Sequence, residues 1–183
     1  LGRYGFGEDH PLGQDRLAAF RVAAISAGID LSAEIAAPVA CNVIDLILFH
    51  EPEYVQRVED QSTIGKGYLD CGNTPAYPGI YDAGRFVVGT GLAAVNRIMK
   101  HDWHHAFVPI GGLHHARRDG AAGFSVFNDC GIMIEALRRR FGIIRLAYVD
   151  IDAHHGDGVY YAFEEDPDLA IADIHEDGRY LYP

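Results

Sequence analysis

The sequence predicts an α/β fold built around a parallel β-sheet. The first observation is that two strand-like runs, 143–151 and 169–174, are almost continuously apolar, as strands covered on both faces are. The second is that strand-like and helix-like segments alternate through the second half of the chain, which is the order of strand–helix–strand units. The length of 183 residues suits one ordinary domain with its own apolar core.

The first half of the chain begins with a predicted helix. Residues 13–27 carry apolar residues at helical spacing, and Gly28 is a suitable stop. The apolar run NVIDLILF at 42–49 predicts a buried strand. Pro52 then favours the start of a short helix, which we place at 52–60.

A long loop and a long helix follow. Residues 61–80 contain six Gly or Pro residues and no clear period, so they predict a loop, and loops of that length are usually functional. Residues 82–101 predict a helix with Leu92, Val95 and Met99 toward the core, although internal glycines lower its helix propensity.

The second half alternates more clearly. Its predicted elements are a short strand at 105–110, a loop at 111–128, a helix at 129–141 that ends at Gly142, a strand at 143–151, a short helix at 157–165 and a strand at 169–174.

Composition narrows the possible partners and compartment. With 15 Lys and Arg against 26 Asp and Glu, the formal charge of −11 argues against direct nucleic-acid binding and permits a cationic partner. Three widely spaced cysteines do not predict a disulfide framework. With no leader-like segment and no long apolar run, we expect a soluble cytoplasmic protein that does not bind membranes, and oligomerisation stays open. The chain lacks an initial Met and stops on an aromatic, apolar segment, so we expect part of a larger domain.

A cluster of polar residues follows the most apolar strand. Alternation places Asp150, Asp152 and His154 on one face of the extended chain. Carboxylates and an imidazole at a strand end are suited to zinc or ferrous iron. One alternative is a set of polar caps for the next helix, with Asp157 near its start. Another is the DxDxT motif of aspartyl phosphatases, but His154 stands at the Thr position.

Two further clusters lie in the loop at 111–128. His114 and His115 follow paired glycines, and such a loop can present imidazoles to a cleft as general bases, or leave them without a role. Phe124, beside Gly123, either lines a narrow pocket or packs as a hydrophobic staple before the next helix.

Several segments together resemble the histone deacetylase superfamily, and the bacterial acetoin-utilisation-type deacetylases within it. The three main segments are GGLHHA at 111–116, GFSVFND at 123–129 and DIDAHHGDG at 150–158, supported by YGFGEDHPLGQDR at 4–16, FHEPEYVQRV at 49–58 and DIHEDGRYLYP at 173–183. The similarity extends from Tyr4 to Pro183, so 1–183 is interpreted as the N-terminal part of a single deacetylase-like catalytic domain.

The resemblance implies a fold and a catalytic centre. The fold is the arginase–deacetylase type, a three-layer α/β/α sandwich with a parallel sheet, here truncated. Asp152 and His154 match two of three ligands of a catalytic Zn²⁺ or Fe²⁺. His114 and His115 match the paired histidines beside the metal-bound water. Their carboxylate partners are matched by the two residues Asp150 and Asp157.

The resemblance also implies binding sites for substrate and potassium. Phe124 and Tyr182 match aromatic walls of an acyl-lysine tunnel, and Gly123 matches a glycine whose backbone lies along it. The carboxylate at the tunnel rim aligns with Asn73, while Asp70 is three residues away. The positions that match a K⁺ site are Asp150, Asp152, His154, Asp173 and Ile174, and relatives often carry Ser where Asp173 stands.

The implied reaction is metal-dependent hydrolysis of an N-acetyl amide, namely acetyl-lysine in a protein, an acetylated polyamine or a similar small amide. In this reaction a histidine takes a proton from the attacking water and a protonated histidine donates one to the leaving amine. No residue here matches the family's third ligand or its oxyanion tyrosine, so we expect the isolated chain to be a poor catalyst. The alternatives are a deacetylase-like binding module without turnover and an arginase-like ureohydrolase.

Overall fold

The computed structural model describes residues 1–7 and 10–183, so Glu8 and Asp9 of the YGFGEDHPLGQDR segment lie outside the described residues. The elements follow in the order α1 (Arg16–Ser26), a 3-10 turn (Ile29–Ser32), α2 (Val43–Leu46), α3 (Pro52–Ile64), α4 (Ile80–Met99), α5 (Asp129–Phe141), β1 (Leu146–Asp150), α6 (Asp157–Phe163) and β2 (Leu169–Asp173).

The sheet consists of β1 and β2, which pair in parallel with α6 in the crossover between them. Leu146 lies opposite Leu169, and Asp150 lies opposite Asp173. The predicted α/β class with a parallel sheet is therefore confirmed. Because parallel strands end at the same edge, the two aspartates that close β1 and β2 lie side by side there.

The core lies against one face of this sheet. Leu146, Tyr148 and Ile171 point toward the core, whereas Val149 on the opposite face of β1 is 67% exposed. Helices contribute most of the core, and its largest fully buried side chains are Tyr4, Leu46, Val55, Val58, Leu69, Ile80, Val87, Val88, Val126, Phe127, Ile132 and Val159. Within the described residues, the face that carries Val149 has no comparable covering layer.

The predicted strand at 42–49 is wrong, because this segment begins with the helical turn α2. Asn42 accepts a hydrogen bond from the backbone N–H of Asp45, and the Asp45 carboxylate accepts one from the backbone N–H of Asn42. This reciprocal capping box satisfies two backbone donors locally, which favours a helix over an extended run of the same apolar residues. Leu46 still reaches the core and is fully buried.

The predicted strand at 105–110 is also wrong, since the described part of the chain provides it with no ladder partner. Phe107 is 74% exposed, and the carbonyl of Val108 accepts the N–H of Gly111 in a turn. The segment is therefore irregular and leads directly into the loop at 111–128.

The predicted helices are present, with shifts at their ends. Helix α5 spans the predicted residues and ends at Gly142, which has a left-handed φ of +68°. Helix α3 extends four residues beyond the predicted end, to Ile64, and α4 begins at Ile80 rather than at residue 82. The predicted 20-residue loop is accordingly shorter and spans 65–79.

Candidate active site

Two buried histidine–carboxylate pairs meet at the carboxyl end of β1. His114 donates through Nδ1 to Asp150 Oδ2 at 2.7 Å, and His115 donates through Nδ1 to Asp157 Oδ1 at 2.7 Å. The Nε2 atoms of the two histidines lie 3.1 Å apart. With both Nδ1 protons directed to carboxylates, a proton on one Nε2 must be donated to the lone pair of the other. The pair can thus carry one proton between two nitrogens.

The loop at 111–128 is fixed by the start of α5. The carboxylate of Asp129 accepts the backbone N–H groups of Gly112 and Leu113 at 3.0 and 2.7 Å. The Asn128 amide donates to the carbonyl of Ala116 at 2.9 Å and to that of His114 at 3.3 Å. Sequence reasoning assigned no role to Asn128 or Asp129, whose position at the start of a helix after a polar loop was the available signal.

Helix α6 approaches the histidine loop closely enough to require a glycine. A Cβ at Gly158 would lie 2.5 Å from the carbonyl oxygens of His114 and Ala116. This contact brings the first turn of α6 against the loop and places the Asp157 carboxylate at His115.

Asp150 has a further partner that sequence reasoning missed. Tyr148, two residues earlier on the same face of β1, donates its hydroxyl to Asp150 Oδ2 at 2.5 Å. The other oxygen, Oδ1, accepts the backbone N–H of Asp152 at 3.0 Å. Burial and nearby acidic groups raise the pKa of Tyr148 above its ordinary value, so the hydroxyl keeps its proton and remains a donor.

Asp152 and His154 face each other beside the histidine pair. Asp152 Oδ1 lies 2.7 Å from His154 Nδ1, and the rings of His115 and His154 are 5.9 Å apart. Burial acts against the charged form of Asp152, but hydrogen bonds from the backbone and ring of His154 outweigh it and lower its pKa. An ionised carboxylate and an imidazole with converging donor atoms fit a divalent metal such as Zn²⁺ or Fe²⁺.

Two of the three predicted tunnel residues, Gly123 and Tyr182, lie against His115, and the third, Phe124, follows Gly123 in the chain. A Cβ at Gly123 would lie 2.4 Å from His115 Cδ2, so the backbone contacts the imidazole there. Phe124 has a left-handed φ of +69° and packs against the ring of His10 at 4.4 Å. The ring of Tyr182 lies 5.5 Å from that of His115.

The backbone around Phe124 is held by two hydroxyl groups that the sequence did not single out. Tyr4, which is buried, donates to the Phe124 carbonyl at 2.8 Å and accepts the N–H of Val126 at 2.9 Å. Thr74 accepts the N–H of Phe124 at 3.2 Å. Both partners are at least 50 residues away in sequence, so local patterns do not indicate them.

The two predicted rim residues have different environments. Asp70 accepts the backbone N–H groups of Gly72, Asn73 and Thr74 at 2.8–2.9 Å, and it also accepts the Thr74 hydroxyl at 2.7 Å. These bonds outweigh the burial of Asp70 and lower its pKa. Its carboxylate is therefore engaged in its own turn. Asn73 is exposed, and its main-chain carbonyl lies 3.2 Å from His10 Nε2.

Comparison with known proteins gives the family. The model of the Histone deacetylase domain matches residues 10–183. The chain belongs to the histone deacetylase family. The resemblance predicted from the GGLHHA, GFSVFND and DIDAHHGDG segments is thereby confirmed.

Curated relatives match most or nearly all of this chain but only part of their own length. The acetoin utilization protein AcuC of Bacillus subtilis is 35% identical over 192 residues, which cover 98% of this chain and 48% of the relative. A probable deacetylase of Methanothermobacter thermautotrophicus is 32% identical, with 84% and 46% covered. Histone deacetylase 6 of Arabidopsis thaliana is 30% identical, with 99% and 40% covered. The chain spans about half the length of these curated relatives or less.

Solved histone deacetylase structures confirm the arginase–deacetylase fold. The HD domain of HDA15 superposes with a TM-score of 0.86 at 24% identity, covering 98% of this chain and 52% of that one. A histone deacetylase homolog complexed with SAHA superposes with a TM-score of 0.84 at 26% identity, covering 100% and 50%. Among the described residues, none of the helices combines the length and the apolar character needed to cross a membrane.

The potassium set predicted for this histone deacetylase chain is only partly brought together. Asp150 and Asp173 are register partners, and the backbone N–H of Ile174 donates to the main-chain oxygen of Asp150 at 3.0 Å. The Asp173 carboxylate, however, binds two imidazoles, His155 Nδ1 at 2.6 Å and His175 Nδ1 at 2.9 Å. Each of its side-chain oxygens therefore lies against an imidazole nitrogen.

Proposed function

We propose that this chain carries the histidine pair, one wall of the acyl site and part of the metal site of an amidohydrolase that removes acetyl groups from amines. The substrate class is an N-acetyl amide, either acetyl-lysine in a protein or an acetylated polyamine or small amide. The observation that carries the proposal is the 3.1 Å approach of His114 Nε2 to His115 Nε2, each backed by its own buried carboxylate.

The histidine pair can supply both proton transfers that amide hydrolysis requires. One neutral Nε2 accepts a proton from the attacking water, and the other, when protonated, donates one to the leaving amine. Asp150 and Asp157 hold the Nδ1–H tautomers and orient the two rings toward each other. The balanced reaction consumes one water and one amide and releases acetate and an amine.

Asp152 and His154 would hold the metal in this proposal. When bound, a divalent ion supplies Lewis-acid chemistry, since it polarises the acyl carbonyl and lowers the pKa of water. Zn²⁺ or Fe²⁺ suits a carboxylate–imidazole donor pair. We retain the predicted K⁺ in the proposal as an ion bound mainly by main-chain oxygens near Asp150. The Asp173 carboxylate lies among histidine nitrogens, which are ligands for transition metals rather than for K⁺.

Phe124 and Tyr182 would contact the methylene chain of the substrate, with Gly123 leaving room beside His115. The Tyr182 ring lies 5.5 Å from the ring of His115, and Phe124 directly follows Gly123, whose backbone contacts the same imidazole. Aromatic walls of this kind bind an aliphatic chain and exclude water from the reacting carbonyl. The acidic chain, with its formal charge of −11, is compatible with a cationic polyamine or a lysine-rich peptide.

Acetate release by the full-length protein that contains this chain tests the proposal. We expect activity on an acetyl-lysine peptide or an acetylated polyamine that is lost with a chelator and restored by Zn²⁺ or Fe²⁺. His114→Ala should lower kcat by roughly a hundredfold or more, and Asp152→Asn should lower both activity and metal content. The matched control is His104→Ala, which changes an exposed histidine. Full activity in both site variants, or activity indifferent to chelation, would refute the proposal.

A further inference from the structure

A second group of metal-binding side chains lies at the end of β2, apart from the Asp152 and His154 pair. In the part of the chain that the structure describes, the only group of three converging His, Cys or carboxylate donors is His155, Asp173 and His175. One donor atom from each of them lies within 4.8 Å of the other two.

Both imidazoles contact the same carboxylate, one at each of its oxygens. His155 Nδ1 lies 2.6 Å from Asp173 Oδ2, and His175 Nδ1 lies 2.9 Å from Asp173 Oδ1. The two rings are 4.5 Å apart and tilted by 36°. A neutral imidazole can move its proton to Nε2 and bind a cation through Nδ1, so all three donors can turn toward one ion without a change of charge on the histidines.

The arrangement is held in place before any ion binds. The Asp173 side chain is only 6% exposed, and Oδ2 also accepts the backbone N–H of Gly156 at 3.1 Å. His155 is packed beside the rings of Tyr160 and Tyr161, at 5.2 and 5.7 Å. His175 is 32% exposed, which leaves a path from solvent to the donors.

We propose that His155, Asp173 and His175 form a second divalent transition-metal site, distinct from the site of the proposed hydrolysis. Two imidazoles and one carboxylate are donors for Zn²⁺, Co²⁺, Ni²⁺ or Fe²⁺, whereas K⁺ and Mg²⁺ are bound mainly by oxygen. Such an ion joins the segment after β1 to the residues after β2. Because it binds the folded arrangement, it stabilises the native protein by mass action. The inference does not depend on the deacetylase reaction.

Metal binding without any assay of activity tests the site. Co²⁺ is titrated into the protein in a KCl buffer and followed by its visible d–d absorption, with Zn²⁺ stoichiometry measured by equilibrium dialysis and Tm measured with and without Zn²⁺. The variants are His154→Ala and, each alone and combined with His154→Ala, His175→Gln and Asp173→Asn. The matched control is His104→Gln. Circular dichroism establishes that each variant is folded, and the mild change at the partly exposed His175 is the variant least disturbing to the fold.

We expect binding and the Tm increase in the wild type, in His154→Ala and in His104→Gln. In the His154→Ala background, where the Asp152 and His154 pair is broken, adding His175→Gln or Asp173→Asn should lower the affinity by more than the roughly 10–100-fold that loss of a supporting hydrogen bond costs. Absence of binding in the wild type, or binding that is unchanged when His175→Gln is added to His154→Ala, overturns the proposal. Binding that is lost in His154→Ala and retained in His175→Gln also overturns it, since the ion then belongs to the Asp152 and His154 pair.

Discussion

The Tyr148 hydroxyl donates to the same Asp150 oxygen that binds His114 Nδ1. That oxygen therefore receives two hydrogen bonds, one from a phenol that keeps its proton and one from an imidazole. Tyr148 does not contact the proposed reacting atoms, so its effect on catalysis passes through Asp150 and the orientation of His114.

Removal of the Tyr148 hydroxyl should weaken both the fold and the histidine pair. Tyr148→Phe keeps the ring and loses one hydrogen bond to a carboxylate, so we expect a loss of about 1–3 kcal/mol in the free energy of unfolding. Under the proposed function, kcat of the full-length protein should fall about 10-fold or more while KM changes little. Urea unfolding and steady-state kinetics measure the two effects. The control, Tyr161→Phe, removes the hydroxyl of an exposed tyrosine, and an equal effect of both variants would contradict the assigned role.

Gly123 should be intolerant of a side chain because of the imidazole behind it. In Gly123→Ala the new Cβ would lie 2.4 Å from His115 Cδ2 at a φ of +50°, so His115 must move and both stability and kcat should fall. Gly67 offers a matched control, since its φ is +84° and nothing lies within 4 Å of an added Cβ. Gly67→Ala therefore introduces backbone strain alone. Thermal unfolding and kcat measurements compare Gly123→Ala with Gly67→Ala. Equal decreases of Tm and kcat in both variants would contradict the proposed contact.

The two predicted rim residues should have different roles, Asp70 in stability and Asn73 in substrate binding. Asp70→Ala removes the acceptor of three backbone N–H groups, so the protein should lose about 1–3 kcal/mol of stability by urea unfolding. Asn73→Ala should leave stability nearly unchanged, because the recorded contact of Asn73 with His10 uses its main-chain carbonyl. If the exposed amide contacts substrate, KM rises in Asn73→Ala. Comparable destabilisation by both substitutions would argue against this separation.

His50 should make the fold sensitive to acid. It is buried, lies 3.3 Å from the Arg118 carbonyl through Nδ1 and accepts the Asn128 N–H through Nε2 at 2.9 Å. Burial lowers its pKa from 6.5 to about 4, so the unfolded chain binds a proton at a higher pH than the folded chain does. The contribution of His50 to the free energy of unfolding is therefore fully present above pH 6.5. It is lost as the pH falls toward 4, and the loss amounts to about 3 kcal/mol at most.

A pH series of urea unfolding on His50→Gln measures that contribution. The Gln oxygen can still accept the Asn128 N–H but does not titrate, so the variant should lose less stability between pH 6.5 and 4 than the wild type. His104→Gln, at an exposed histidine, should retain the wild-type dependence. Identical pH dependence in His50→Gln and the wild type would contradict the assignment to His50.

Much of the fold follows from local signals, and the exceptions have local causes. Helix α5 has its predicted bounds because Asn128 caps its start and Gly142 ends it in a left-handed conformation. The parallel sheet follows from two apolar runs on either side of a helix. The 42–49 run was mistaken for a strand because apolar content alone does not separate a short buried helix from a strand, and the capping box at Asn42 decides between them.

The sequence predicts the residues of the candidate site better than it predicts the side chains that hold them in position. Motif resemblance indicated His114, His115 and their carboxylates, and the structure brings all four together. The supports from Tyr4 and Thr74 depend on contacts 122 and 50 residues apart, which no local spacing reveals. The engagement of Asp173 with two histidines likewise required the three-dimensional arrangement, since only one of them is near it in sequence.

The two histidine–carboxylate pairs join residues that are 36 and 42 positions apart. Each contact closes a long loop. Burial of the intervening strand and helix must offset the entropic cost of this closure before the hydrogen bond of the pair stabilises the fold. Contacts of this sequence separation are costly in loop-closure entropy and are associated with slow folding. The imidazole arrangement therefore requires α5, β1 and α6 to be packed together, and the histidine NMR resonances should report this tertiary packing rather than the formation of any single helix.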